Sequence, residues 1–544
     1  FSYLIFFNIF RLSEKLTLAL NIKKLSWALT LIPVGFYALL AGLPVSTQRA
    51  FIMVATFVLA YLLDRSRDIY ATLALAALAV LLLHPGSLWD ASFQFSFTAV
   101  FAIFYLVPRF DKIFSRRDTE GIKTEERAKF KWLTHRIRTL IFITLAASIA
   151  TAPLSIYHFN NLPLLGMPLN LIVVPVVSLI IVPLSLLYAL LIPISESLAA
   201  LFFNINDIFI NAIVSLVKAL SSPAWSHIKV STITKVELAS FYLIIFVLLN
   251  LKKRRYLLYA LPLLITALTF PTVISYYQSV TSKELKVTFI NVGQGEASLI
   301  EFPGGSTMLI DGGASYNGGF DMGEMVISKV LRAKRIRKID YVVMSHSQRD
   351  HKGGLAFLIR SFNIGEFWWN GKGKIPQIAK ALKDKNRPSL IIDASSKEID
   401  IGGVLIDVLN PKAHGSEEIS LNEASLVIKL TYKGSSVLFT GDVGLETEAE
   451  LIEGFNLEAD ILKAAHHGSR YSSSTAFLDE VTPKYVVISA GIKNSYGFPH
   501  KEALERFKSS KANIYRTDRH GAVEAIINGK DIKVNAITSP LLPI

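Results

Sequence analysis

Eight residues in the C-terminal half have the chemistry of metal ligands: Asp311, His346, Asp350, His351, Asp442, His466, His467 and His500. Each stands in a loop at or just after the end of an apolar, strand-like run. Met308-Leu-Ile310 ends at Asp311-Gly-Gly313, and Ile339–Met344 runs into Ser345-His346-Ser-Gln348-Arg-Asp350-His351-Lys-Gly-Gly354. The run at 436–440 ends at Gly441-Asp442, Ile461–Ala465 leads into His466-His467-Gly-Ser469, and Val486–Ser489 precedes a loop ending in His500. Carboxylate oxygens and imidazole nitrogens are ligands for Zn²⁺ or Mn²⁺. An ion held there could activate water and polarise a phosphoryl or acyl group. A lone His at a strand end is more often structural. The x-His-x-Gln-x-Asp-His core before paired glycines, repeated by Asp and His on other strands, points to a metal site. The chain has no Cys, which excludes a thiolate site and a disulfide framework.

Such residues meet only if several strands end at one sheet edge. Alternation predicts strands at 284–290, 298–302, 308–310, 339–344, 389–391, 404–408, 425–431 and 436–440, and a helix over 321–335. Gly293, Gly295, Gly312 and Gly313 allow close backbone approach beside the site. Two basic sets could hold a polyanion: Arg332, Lys334, Arg335, Arg337 and Lys338, and then Lys372, Lys374, Lys380 and Lys383 after Phe367-Trp-Trp369. Basic groups beside exposed aromatics suit single-stranded nucleic acid. A solvated helix face explains the first set equally well.

Residues 1–275 are of another kind. The 544-residue chain is 51% hydrophobic, with mean hydropathy +0.42, which is high for a soluble protein. Apolar runs suited to membrane-spanning helices fall at about 1–10, 26–42, 50–63, 70–84, 93–108, 138–155, 168–192, 198–219, 235–250 and 257–274. Pro175, Pro183 and Pro193 interrupt the run at 168–192, and Asn204, Asn206, Asp207, Asn211 and Lys218 make the next one polar enough to lie in the interface or line a path. Basic clusters at 109–136 and at Lys252, Lys253, Arg254 and Arg255 belong in the cytoplasm by the positive-inside rule. Counting spans from there puts the domain after Lys283 outside the cytoplasm. Arg49, Gln94 and Asn170 are polar groups at spans, fit for a translocation path or for holding helices together. The net charge of +14 suits nucleic acid or anionic lipid, and basic membrane-protein loops account for it as readily. The chain begins at Phe1 inside an apolar run, and is expected to be a fragment whose upstream part is missing.

The combination resembles the ComEC family of DNA internalisation proteins of natural competence. In the soluble half the resemblance rests on Asn291-Val-Gly-Gln-Gly-Glu-Ala297, Asp311-Gly-Gly313, Ser345-His346 through Asp350-His351-Lys-Gly-Gly354, Asn422 with Ser425, Thr440-Gly-Asp442, His466-His-Gly-Ser469 and Asn494-Ser-Tyr-Gly-Phe-Pro-His500. In the membrane half it rests on Gly42-Leu-Pro-Val-Ser-Thr-Gln-Arg49, Asp90-Ala-Ser-Phe-Gln-Phe-Ser96, Pro153, Phe159 and Pro168-Leu-Asn170-Leu. The resemblance implies an α-helical polytopic membrane domain at 1–275, followed at 283–544 by an extracytoplasmic α/β metallo-β-lactamase-like domain, an αββα sandwich. It implies a channel in the cytoplasmic membrane that passes single-stranded DNA, with a metal-dependent nuclease degrading the other strand. Other competence DNA-uptake proteins, membrane lipid and the missing N-terminal part are the implied partners, and a homo-oligomer is compatible with it.

Departures from the family bear on the site. Gln348 stands at the middle ligand position, Asn291 and Glu296 stand at usual Asp positions, and Phe498 replaces the usual His before Pro499. Neutral Gln is a poor divalent ligand. The expected ligand set is therefore His346, Asp350, His351, Asp442 and His466, for one or two Mn or Zn ions. His466 is preferred over His467 because it ends the strand, and Asp311, His467, Gln348, Asn422 and Ser425 are secondary candidates. Asp350 and His351 carry catalysis, and His346 or His500 is a further ligand or a proton donor to the leaving oxygen. Two readings compete: a DNA-guiding protein with a dead hydrolase domain, and a membrane-anchored hydrolase of another phosphodiester.

Overall fold

The computed structural model describes residues 2–64, 68–114, 125–251, 254–316, 319–412, 419–529 and 531–537. Arg116, Arg117, Lys123, Lys252 and Lys253 of the basic clusters lie outside the described residues. The chain divides into two compact units, Phe1–Val230 with Phe241–Leu249, and Ser231–Ser240 with Asn250–Ile544.

The first unit is helical because its sequence offers long apolar runs with few breakers. Ala91–Lys112, Thr134–Phe159, Gly166–Leu191 and Glu196–Ser221 are each long and apolar enough to cross a membrane, as is Arg255–Thr281 in the second unit. Ser46–Leu62 and Ile69–Leu83 are apolar but shorter. The run interrupted by prolines stays continuous. It is helical over Gly166–Val176 and Val182–Leu191, joined by a π-helical turn at Val177–Ile181. Pro175 and Pro183 each remove a backbone donor, and a wide turn absorbs such a mismatch. The polar residues of Glu196–Ser221 bond locally: Asn206 donates to Ser185 Oγ at 2.8 Å and Asn211 to Asp207 at 2.9 Å.

In the second unit two sheets face each other. One has eight strands in the order Ser389–Ile391, Asn363–Trp369, Lys338–Met344, Thr307–Ile310, Ser298–Glu301, Leu285–Phe289, Ala522–Asn528, Asp531–Ile537. The other has seven: Ile399–Ile401, Val404–Asn410, Val427–Tyr432, Ser435–Phe439, Ile461–Lys463, Tyr485–Ile488, Asn513–Arg516. Period-two alternation sorts the side chains into three layers. Leu285, Val287, Phe289 and Val343 meet Ile428, Val437, Phe439 and Ile461 between the sheets. Val342 and Met344 turn the other way, onto Leu331, Leu355 and Leu358 of the covering helices. Leu438, Leu462 and Val486 pack on Leu451, Phe477 and Phe507. The result is an αββα sandwich. At the heart of each sheet, neighbouring strands run parallel, so their C-terminal ends open together at one edge.

Candidate metal centre

Local chain geometry places the side chains at that edge. Asp311 follows Thr307–Ile310 with φ +63°, a conformation Asp tolerates better than most residues. Its carboxylate accepts from Ser345 N at 2.8 Å and from Ser345 Oγ at 2.7 Å, tying two strand ends together. The short helix Arg349–Lys352 then presents Asp350 and His351. Gly353 and Gly354 follow because nothing larger fits: a Cβ would lie 2.2 Å from Ser315 N at the first and 2.4 Å from Gly312 O at the second. From the other sheet, Asp442 arrives after Ser435–Phe439, its amide bonded to Ser425 Oγ at 3.2 Å. His466 and His467 follow Ile461–Lys463, both left-handed, with φ +49° and +55°.

Asp350, His351, Asp442 and His467 offer ligand atoms that all lie within 4.8 Å of one another. His351 Nε2 is 3.3 Å from Asp442 and 4.0 Å from Asp350, and His467 Nε2 is 3.3 Å from Asp350 and 3.6 Å from Asp442. The far nitrogen of each ring is already held, His351 Nδ1 by Asp311 at 2.8 Å and His467 Nδ1 by the Ser489 carbonyl at 3.0 Å. Such contacts fix the tautomer and aim Nε2 at an ion. Among the described residues, Nε2 of His346, His351 and His467 and Oδ1 of Asp442 are buried without a hydrogen-bond partner. Each such atom costs about 1–3 kcal/mol. The convergence of those of His351, Asp442 and His467 with the Asp350 carboxylate fits a divalent cation.

The electrostatics agree. Burial opposes charge on His351, but the Asp442 and Asp311 carboxylates raise its pKa well above the usual value. Burial opposes ionisation of Asp350 too, and the neighbouring His467 and His351 imidazoles hold its pKa at about 2. Asp442 is held well below the carboxylate range by His351 and His467 despite complete burial. His346, pushed down by burial and by His351, titrates at about 4.

Glu296, Asp311 and His351 form a second close acidic group. Its carboxylates are already engaged. Glu296 pairs with the buried Lys463 at 2.8 Å and Asp311 with Ser345 and His351, so this group supports the centre. Lys463 is a residue the sequence reading missed, since an ordinary Lys in a strand signals nothing.

The structure sorts the remaining candidates. His467 is 1% exposed and belongs to the close group, whereas His466 is 29% exposed and lies 3.8 Å from Asp442. His346 is fully buried, its ring 4.1 Å from that of His351. His500 lies at the rim, with Nδ1 accepting from Arg470 N at 3.0 Å. Gln348 donates its side-chain N–H to Asn422 Oδ1. Phe367 and Trp368 are buried in the core at 0% and 3% exposure, which corrects the expectation of exposed aromatics there; the strand Asn363–Trp369 lies second from one edge of its sheet. Arg332 is 8% exposed, Arg335 pairs with Glu237 at 2.5 Å and Lys338 with Asp340 at 2.5 Å. In the first unit Arg49 is buried against Asp90 at 3.0 Å, Gln94 meets His158 at 2.9 Å, and Asn170 is exposed on its helix.

Comparison with known proteins bears on both units. Residues 2–255 match the Competence protein family and residues 290–492 the Metallo-beta-lactamase superfamily. The chain is 27% identical over 513 residues to ComE operon protein 3 of Bacillus subtilis, covering 91% of this chain and 63% of that protein. It is 27% identical over 497 residues to Competence protein ComA of Neisseria gonorrhoeae, covering 90% and 63%. The chain thus spans about 63% of the length of these relatives. The metallo-beta-lactamase fold protein YhfI from Bacillus subtilis aligns with 47% of this chain and 100% of its own, at 13% identity and TM-score 0.31. The long apolar helices make this a multi-pass membrane protein, consistent with an extracytoplasmic C-terminal domain. Both halves are thus similar to known proteins, an N-terminal membrane part to competence proteins and a C-terminal part to the metallo-beta-lactamase superfamily, and the latter holds a buried His/Asp cluster able to chelate a divalent ion.

Proposed function

We propose that the chain serves DNA uptake: its membrane part, residues 1–275, contributes to passing one DNA strand across the cytoplasmic membrane, and residues 283–544 form an extracytoplasmic metal-dependent nuclease acting on the other. The observation that carries the hydrolase reading is the convergence of unpartnered ligand atoms from His351, Asp442 and His467 on the Asp350 carboxylate. Asp350, His351, Asp442 and His467 would hold the ion, with His346 and His466 beside them. When bound, a divalent ion supplies Lewis acidity and lowers the pKa of water at its open position.

The chain's own residues then have separable tasks. Asp311 and the Ser489 carbonyl keep the two imidazoles aimed inward. Nδ1 of His500 accepts a backbone N–H, so the neutral ring carries its proton on Nε2. That tautomer can donate to a leaving oxygen, which favours the proton-donor role for His500 over a ligand role. In the membrane part, the Arg49–Asp90 and Gln94–His158 contacts supply polar groups to a strand path. Other competence proteins are the partners this reading requires.

A second reading, a DNA-guiding protein without catalysis, draws support from Gln348, whose amide is committed to Asn422. Cleavage of single-stranded and duplex DNA by the detergent-purified chain with Mn²⁺ or Zn²⁺ separates the two. Metal-dependent cleavage supports the nuclease, and none from a folded, metal-loaded protein leaves the guiding role.

A further inference from the structure

The Asn494–His500 loop carries a ring stack, half-buried at Phe498 and exposed at Tyr496, beside the candidate metal centre. Tyr496 and Phe498 lie 5.6 Å apart between centroids, with planes 14° apart, the offset arrangement of a true stack. Phe498 in turn packs 5.6 Å from His466, 6.0 Å from His467 and 5.0 Å from His500. The outer ring, Tyr496, is 64% exposed, and a Cβ placed at the intervening Gly497 would meet nothing within 4 Å. The loop is nonetheless pinned. Asn494 donates to the carbonyls of Gly491 and Phe498 at 2.9 and 2.7 Å and accepts from Phe498 N at 3.0 Å.

Tyr496, left largely in solvent, gains little from burial, yet the loop that carries it is held in place by three hydrogen bonds. Its inner ring touches the imidazoles that line the centre, and its outer ring faces solvent. We propose that Tyr496 and Phe498 form a platform on which an unstacked nucleobase of a single-stranded nucleic acid lies, so that an adjoining phosphodiester reaches the cluster of Asp350, His351, Asp442 and His467. This rests on the reading of the centre as one that acts on nucleic acid, and adds what selects the strand. A paired base in a duplex keeps its faces covered by its neighbours, whereas a single-strand base has a face free. Stacking of this kind is tolerant of base identity, so the platform selects for single-strandedness rather than for sequence. Asn494 is a positioning residue for the platform.

The test uses the full chain in detergent with Mn²⁺. Affinity is measured by fluorescence anisotropy for a labelled ten-residue oligothymidylate and for an abasic deoxyribose-phosphate oligomer of equal length, alongside cleavage of each. Tyr496→Ala is expected to weaken oligothymidylate binding about tenfold and to leave the abasic oligomer unchanged, with Tyr496→Trp restoring the loss. Phe498→Leu, which keeps apolar volume against His466, is expected to show the same selectivity for bases. Equal binding of the two oligomers by the unsubstituted chain, or an equal effect of Tyr496→Ala on both, overturns the platform. The outcomes separate the two claims. Base-selective binding without cleavage keeps the platform and removes the nuclease. Cleavage with no base selectivity keeps the nuclease and removes the platform.

Discussion

The centre depends on which atoms face inward and on what holds their far sides. Asp311 holds Nδ1 of His351, and loss of such a supporting contact typically costs tenfold to a hundredfold in metal affinity, as an order of magnitude. Asp311→Asn is therefore expected to weaken metal binding by about that factor while the chain stays folded, as read by competition with a chelator. His467→Ala should lose more affinity than His466→Ala, since only His467 is in the close group; the reverse order in the same titration would put His466 at the ion. The pH dependence follows from His351. Its raised pKa means that the metal-free protein keeps the ring protonated above the ordinary histidine range, whereas the bound ring must be neutral. Binding therefore releases a proton, and affinity rises with pH until His351 is neutral in the free protein. Calorimetry in two buffers of different ionisation enthalpy measures that proton. Most of this residue set was legible in the sequence, because Asp and His at the ends of apolar runs have few other reasons to recur. The sequence favoured His466 because it ends the strand, whereas the close group of ligand atoms contains His467. Two successive left-handed residues break the alternation that a strand-based count relies on.

At the scale of elements, the basic run Arg332–Lys338 shows how misleading a charge cluster is without its partners. Lys334 is bonded to Glu301 and Glu524, both at 2.7 Å. Arg335, at φ +60°, turns to Glu237 and Thr272 on the helices Lys235–Asn250 and Ala260–Thr281. These residues brace the second unit, and their acidic partners lie far off in sequence where no local pattern reveals them. Removing one member of so buried a pair costs about 3–5 kcal/mol. Arg335→Ala is expected to lower the thermal stability of the second unit by roughly that order, and an unchanged melting temperature would show that the pair is solvated in practice. The same long-range problem hid the strands Asn363–Trp369, Ala522–Asn528 and Asp531–Ile537. Trp368 reads locally as an exposed aromatic near lysines, and only the sheet buries it. The strands that end in ligands were legible, since alternation and a chemical terminus coincide there.

Over the whole molecule, the two halves were legible by hydropathy alone, and the absence of Cys makes their sidedness testable. A single Cys introduced at an exposed position of the second unit, such as Lys501 at 89% exposure, is unique in the chain. An impermeant maleimide applied to intact cells stripped of outer barriers is expected to label it, while a Cys placed at Lys112 is labelled only after the membrane is opened. Labelling with the opposite pattern would invert the topology. The central claim is that Asp350, His351, Asp442 and His467 hold a catalytic divalent ion. Its most direct measurement is metal stoichiometry by elemental analysis of the detergent-purified chain after Mn²⁺ or Zn²⁺ loading, with DNA cleavage by the same sample, beside Asp350→Ala. The account predicts bound metal and cleavage in the unsubstituted chain, and loss of both in Asp350→Ala. Equal metal content in the two proteins, or cleavage that survives in Asp350→Ala, would contradict it.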